Sequence, residues 1–131
     1  MAFQLFLIFT GSGLGGLMRY ALSGVVQNLW GPTFPVGTLV VNVSGCLGIG
    51  FLGALLTGPL VVREEYRIAM LIGVLGGYTT FSTFGRETLS LMSDGEWLLA
   101  GLNVLLSNAL GLLAVWAGAA LSARLYGAGA P

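Results

Sequence analysis

The amino-acid sequence predicts an all-α integral membrane protein that crosses the bilayer four times. Composition is the first reason. Of 131 residues, 56% are hydrophobic and 8% charged, with a mean hydropathy of +0.92, whereas soluble domains carry about 25% charge. The second reason is where the charges fall. They stand at Arg19, Arg63, Glu64, Glu65, Arg67, Arg86, Glu87, Asp94, Glu96 and Arg124, leaving uncharged runs long enough for helices of roughly 20 apolar residues. The third is that proline, glycine and short polar groups cut those runs into four.

A first span is expected over about residues 3–25. It opens with MAFQLFLIF, which lacks the basic start and A-x-A-like cleavage site of a signal peptide, and it continues past Arg19 through LSGVV, so it reads as a retained helix. Gln27, Asn28, Gly31, Pro32 and Pro35 form a tight polar link that no single helix would cross. The second span is expected at 36–58, closed by Gly58 and Pro59. Residues 63–67 are the most hydrophilic stretch and read as a water-exposed loop. The third and fourth spans are expected at 68–92 and 97–123, with Trp30, Trp97 and Tyr126 near span ends, where aromatic rings favour the membrane interface. The whole chain, 1–131, reads as a single four-helix domain.

Four spans place both termini and the 58–67 loop on one side of the membrane. That side carries Arg63, Arg67 and Arg124; the other carries Arg19 and Arg86. Three against two leaves the positive-inside rule little to act on. Either a few arginines simply make a weak signal, or the chain inserts both ways and assembles as an antiparallel pair. No internal repeat is evident, and four spans barely enclose a pathway, so a homo-oligomer is expected. Zero net charge without a basic stripe excludes a nucleic-acid partner and a polybasic membrane-surface protein. The absence of histidine removes every Ser-His-Asp, Cys-His and His-metal arrangement. Cys46, the one cysteine, can form neither an internal disulfide nor a thiolate cage.

Polar residues inside the spans carry the functional signal. Gly11 and Gly15, Ser12 and Gly16, Ser44 and Gly48, and Gly73 and Gly77 stand at the small-xxx-small spacing that lets helices approach closely in lipid. The segment GGYTTFSTFG, Gly76 to Gly85, sits near the centre of the third span and is rich in weak helix formers. Either the helix breaks there, with freed carbonyls able to coordinate a cation, or it stays intact with hydroxyls bonded to the preceding turn. Phe81 and Phe84 share a face if the helix resumes. Two such rings usually pack, but Ser82 and Thr83 interleave with them, and a phenyl edge is positive enough to meet an anion.

Thr38, Asn42 and Gly45 share one face of the second span. Asn103, Ser107 and Gly111 follow one another at i, i+4 steps on the fourth, with Asn108 on a different side. Singly, such amides read as bonds between helices. Together they make a track of hydroxyls and amides without a charge at mid-depth. Spans one, two and four hold no acid, and Glu87 lies toward the end of the third, which argues against a proton-coupled exporter. A neutral donor lining suits a small anion. Arg19 reads as an electropositive mouth, a snorkelling interface anchor, or both.

These residues resemble the fluoride channel family known as Fluc or CrcB over nearly the whole chain. The resemblance rests on GGLMRY (15–20), GTLVVNVSG (37–45) and, above all, GVLGGYTTFSTFGRE (73–87). It implies an antiparallel, dual-topology homodimer in the cell (inner) membrane, with two pathways through which fluoride leaves the cytoplasm passively. It also implies a structural sodium ion at the dimer centre, held by carbonyls of third helices broken near the membrane centre, here those of Gly76 and Thr79. Phe81 and Phe84 would be the pore aromatics, contributed across the dimer, and Asn42 the amide donor. Thr83, Asn103 and Ser107 would line the polar track, with Arg19 and Glu87 at the vestibules. The chain departs from the family pattern at Tyr78 and Gly85, and position 103 varies between members.

Two rivals belong to other classes. A small multidrug exporter would normally carry a glutamate in its first span, and residues 1–18 contain none. In a non-conducting assembly subunit the polar track would serve only to join helices. An enzyme is disfavoured by the missing histidine and the lack of embedded acids.

Overall fold

The computed structural model describes residues 1–127, and all regular structure among them is helical. Helix α1 covers Ala2–Trp30, α2 covers Val36–Thr57, and α6 covers Trp97–Tyr126. The third apolar segment, Glu64–Ser93, is assembled from four pieces: α3 (Glu64–Ile68), a π-helix (Ala69–Leu75), α4 (Gly76–Tyr78) and α5 (Phe81–Ser93). Each of the four segments is long and apolar enough to cross a membrane.

The turn between α1 and α2 has a local cause. Gly31 takes φ 100, which an L side chain disfavours, and its N–H closes on the Gln27 carbonyl at 2.9 Å. Pro32 and Pro35 then deny the chain a further helical turn. The Gln27 side chain braces the link from inside. Its Nε2 donates to the carbonyls of Gly31 and Phe34, and its Oε1 accepts from the Gly37 N–H at 3.0 Å. Helix α1 therefore runs on to Trp30 instead of ending near residue 25.

Two close pairings organise the bundle. Helix α2 makes its most extensive contact with α6, where glycines replace side chains at the crossing. A Cβ at Gly50 would enter the Val115 carbonyl, and one at Gly118 would enter that of Leu47. Helix α1 packs in the same way on the π-helix and α4. Gly15 lies against the Val74 carbonyl and Gly77 against that of Ser12. Of the small-residue pairs in the sequence, Gly11 with Gly15 and Gly73 with Gly77 mark backbone-to-backbone approaches, whereas Gly16 has open space around it and Gly48 meets only the Leu75 side chain.

Burial runs opposite to that of a soluble domain. The buried apolar side chains are Val41, Tyr78, Phe84 and Ala100, while Thr38, Thr80, Thr88, Asn103 and Ser122 are buried and polar. Phe3, Phe6 and Phe9 of α1 point outward. Lipid tails exert no hydrophobic drive between helices, so hydroxyls and amides seek one another inside and large apolar groups face out.

Candidate functional site

The site is built around two residues that leave helical geometry. Helical dihedrals end at Tyr78; Thr79 (φ −82, ψ 158) and Thr80 (φ −150, ψ 120) are extended, and α5 starts at Phe81. Two substitutions of partner keep this backbone satisfied. The Thr80 N–H, which a continuing helix would return to the Gly76 carbonyl, goes to Asn42 Oδ1 at 2.7 Å. The Thr83 N–H, which would return to Thr79, goes to the Thr80 hydroxyl at 3.2 Å, making Thr80 the N-cap of α5. Asn42 Nδ2 completes its grip by donating to the Thr80 carbonyl at 2.8 Å.

The carbonyls of Gly76 and Thr79 are thereby released from the helical ladder. Arg19 Nη1 stands 3.4 Å from the Thr79 oxygen, a long contact. Just before the link, the Tyr78 hydroxyl lies 2.8 Å from Ser44 Oγ. Gly45 makes room for this arrangement, because a Cβ there would strike the methyl of Thr79.

Two cavities border the link, and a third lies farther along α5. A groove of about 320 Å³ is bounded by Asn42, Gly76, Thr79, Thr80, Phe84 and Ser107, among others, with Phe81 at its edge, and none of its lining residues is charged. Phe84 is buried and Phe81 is 80% exposed, their ring centres 5.3 Å apart at 49°. A second cavity of about 250 Å³ is bounded by Arg19, Thr38, Thr80 and Thr83, so that Thr80 borders both. A third, of about 350 Å³, is bounded by Arg86, Glu87, Ser90 and Ser93. Glu87 Oε1 accepts from Thr38 Oγ1 at 2.7 Å, while its Oε2 is buried without a hydrogen bond among the described residues.

Of the residues singled out in the sequence, Gly76, Thr79, Asn42, Phe81, Phe84 and Ser107 meet around the groove. Arg19 and Thr83 meet in the second cavity, and Glu87 lies at the third. Asn103 borders none of the three. It is 1% exposed and donates to the buried hydroxyl of Thr88 at 3.0 Å.

Comparison with known proteins shows the family of the chain. The family model described as CrcB-like protein, Camphor Resistance (CrcB), matches residues 6–119. The chain belongs to the CrcB family. Among the relatives of this CrcB chain, a protein of Paramagnetospirillum magneticum is 48% identical over 86% of this chain and 89% of its own length. One of Solibacter usitatus is 47% identical over 90% of this chain and 97% of its own. One of Methylococcus capsulatus is 48% identical over 95% of this chain, but the chain spans only 55% of that protein's length. Each of the three is named fluoride-specific ion channel FluC. Family and helices together make the CrcB chain a multi-pass membrane protein of a non-enzymatic class.

Two participants, Thr80 and Thr88, and one bond of Thr38 escaped the sequence reading of this CrcB site. Thr80 is its structural pivot, and a capping hydroxyl three residues before Thr83 was the available signal. Thr38 stood on the face of Asn42, but nothing in sequence tied it to Glu87. Thr88 had no sequence signal at all.

Proposed function

We propose that two copies of this chain, inserted antiparallel in the inner membrane, form a fluoride channel that lets the ion leave the cytoplasm passively by two pathways. Each chain, 1–131, acts as one four-helix domain whose third helix is broken near mid-membrane. The observation that carries this reading is the uncharged groove at the Thr79–Thr80 link, lined by neutral donors and phenyl rings. The names of the relatives supply the ion. The near-even arginine distribution supports insertion in both directions, and the exposed ring of Phe81 suits a group that reaches into a facing copy.

The residues divide the task by chemistry. Arg19 draws an anion toward the second cavity, where Thr83 offers a hydroxyl. Asn42 uses one amide hydrogen on the Thr80 carbonyl and keeps the other for the ion. The positive edges of Phe81 and Phe84 replace further water, while Ser107 borders the groove with its hydroxyl hydrogen turned to Asn103. Dipoles without a counter-charge can strip a small ion and still release it. Asn103 supports this wall from behind, and Glu87, tied to Thr38, sets the polarity of the far vestibule.

A sodium ion fits the released carbonyls of Gly76 and Thr79, which are hard, neutral oxygen donors. Antiparallel pairing would bring the corresponding carbonyls of a second copy to the same axis. Bound there, the ion would supply a fixed positive charge that ties the two link segments together.

Efflux from liposomes tests the reading. With the membrane potential clamped by an ionophore, the purified protein should release fluoride to an electrode and should release little chloride. Silence toward both ions would overturn the proposal in favour of an assembly subunit. Efflux that demanded a proton gradient would overturn it in favour of an exporter.

A further inference from the structure

Asn103 is the one buried side-chain amide among the described residues, and it is bonded on both sides. Its Oδ1 accepts from Ser107 Oγ at 3.5 Å, a long contact, and its Nδ2 donates to Thr88 Oγ1 at 3.0 Å. The Thr88 hydroxyl in turn donates to the Phe84 carbonyl at 2.8 Å. The chain of donors runs in one direction, from Ser107 on α6 through Asn103 and Thr88 to the backbone of Phe84 on α5. Its two ends border the groove, and its two middle members do not.

We infer that Asn103 and Thr88 are positioning residues that hold the Ser107 hydroxyl and the Phe84 ring at a set separation across the groove wall. The inference rests on the reading of that groove as an anion pathway. The physical need is plain. Helices α5 and α6 are joined by a short turn at Gly95, and apolar faces in lipid have little to fix their sliding. A buried amide donating from one helix to a hydroxyl of the other fixes the register directly. Thr88 retains its bond to Phe84 when Asn103 is replaced, so Asn103→Leu strands no buried donor at that position. The loss therefore falls on alignment more than on folding. Thr88→Val removes the relay from the other end and leaves the Asn103 amide short of an acceptor, whereas Thr88→Ser keeps the hydroxyl.

The test uses the full-length protein with a 4-fluoro label on the Phe84 ring, read by fluorine NMR, beside fluoride and chloride efflux from liposomes. Wild type and Thr88→Ser should show one narrow ring resonance and equal fluoride-over-chloride ratios. Asn103→Leu and Thr88→Val should each broaden or split the resonance and lower the ratio by about tenfold. The double variant should be no worse than either single one, because both cut the same chain. A narrow, unshifted resonance and an unchanged ratio in folded Asn103→Leu would overturn the inference, even if its thermal stability fell. Should the wild type conduct nothing, the conduction reading fails by itself, and the ring resonance still decides whether Asn103 positions Phe84.

Discussion

The amide of Asn42 pairs with both backbone polar groups of Thr80, at 2.7 and 2.8 Å, as a neighbouring strand would. Backbone groups that leave a helix inside a membrane need such partners. Asn42→Asp keeps the acceptor for the Thr80 N–H but sets a carboxylate oxygen against the Thr80 carbonyl. It also places a negative charge in the groove. Fluoride efflux should fall by at least about tenfold, and thermal stability should drop by about 1–3 kcal/mol for the lost buried donor. At Phe81 the expectation differs. The ring is exposed in the single chain, so Phe81→Ile should abolish or sharply slow efflux while leaving the oligomer intact on a sizing column. The sequence made Asn42 legible as an intramembrane amide, but its partner lies 38 positions away. No local pattern encodes that distance. Asn103 shows the same limit: an i, i+4 relation to Ser107 defines a helix face without saying which helix that face meets.

Among the elements, the four apolar segments could be read directly, because length and hydropathy are properties of the linear chain. Part of the small-residue stripes could be read too, since close approach leaves only glycine as a solution at Gly15 and Gly77, but Gly50 and Gly118 of the α2–α6 crossing lay outside that pattern. The π-helix at Ala69–Leu75, against which α1 packs, could not, because its wider winding leaves no mark in composition. The α2–α6 crossing makes a firm prediction. Gly118→Val would drive side-chain atoms into the Leu47 carbonyl and force the helices apart. Unfolding in detergent should show a loss of about 1–3 kcal/mol. Gly101, which has open space around it, should accept alanine with no measurable loss.

For the whole molecule, orientation is the quantity that composition nearly leaves balanced. Leu60 and Val61 lie in the loop after α2, and Val61 is 93% exposed. Leu60→Arg together with Val61→Arg should therefore hold that side in the cytoplasm at little cost to folding. Reporter fusions at the C-terminus should change from mixed to single sidedness. If the antiparallel pair is the conducting unit, the biased variant alone should lose efflux. Co-expression with a copy biased the other way should restore it. Efflux that survives in a uniformly oriented population would require a parallel assembly instead.

The glutamine clamp at the first turn bears on how the protein is made. Three bonds from Gln27 brace the link between α1 and α2, one of them reaching Gly37 of α2 itself, so the two helices are expected to insert as a hairpin. Sidedness is then decided once for the pair. If the chain inserts both ways, a newly made copy would have a single early choice to make.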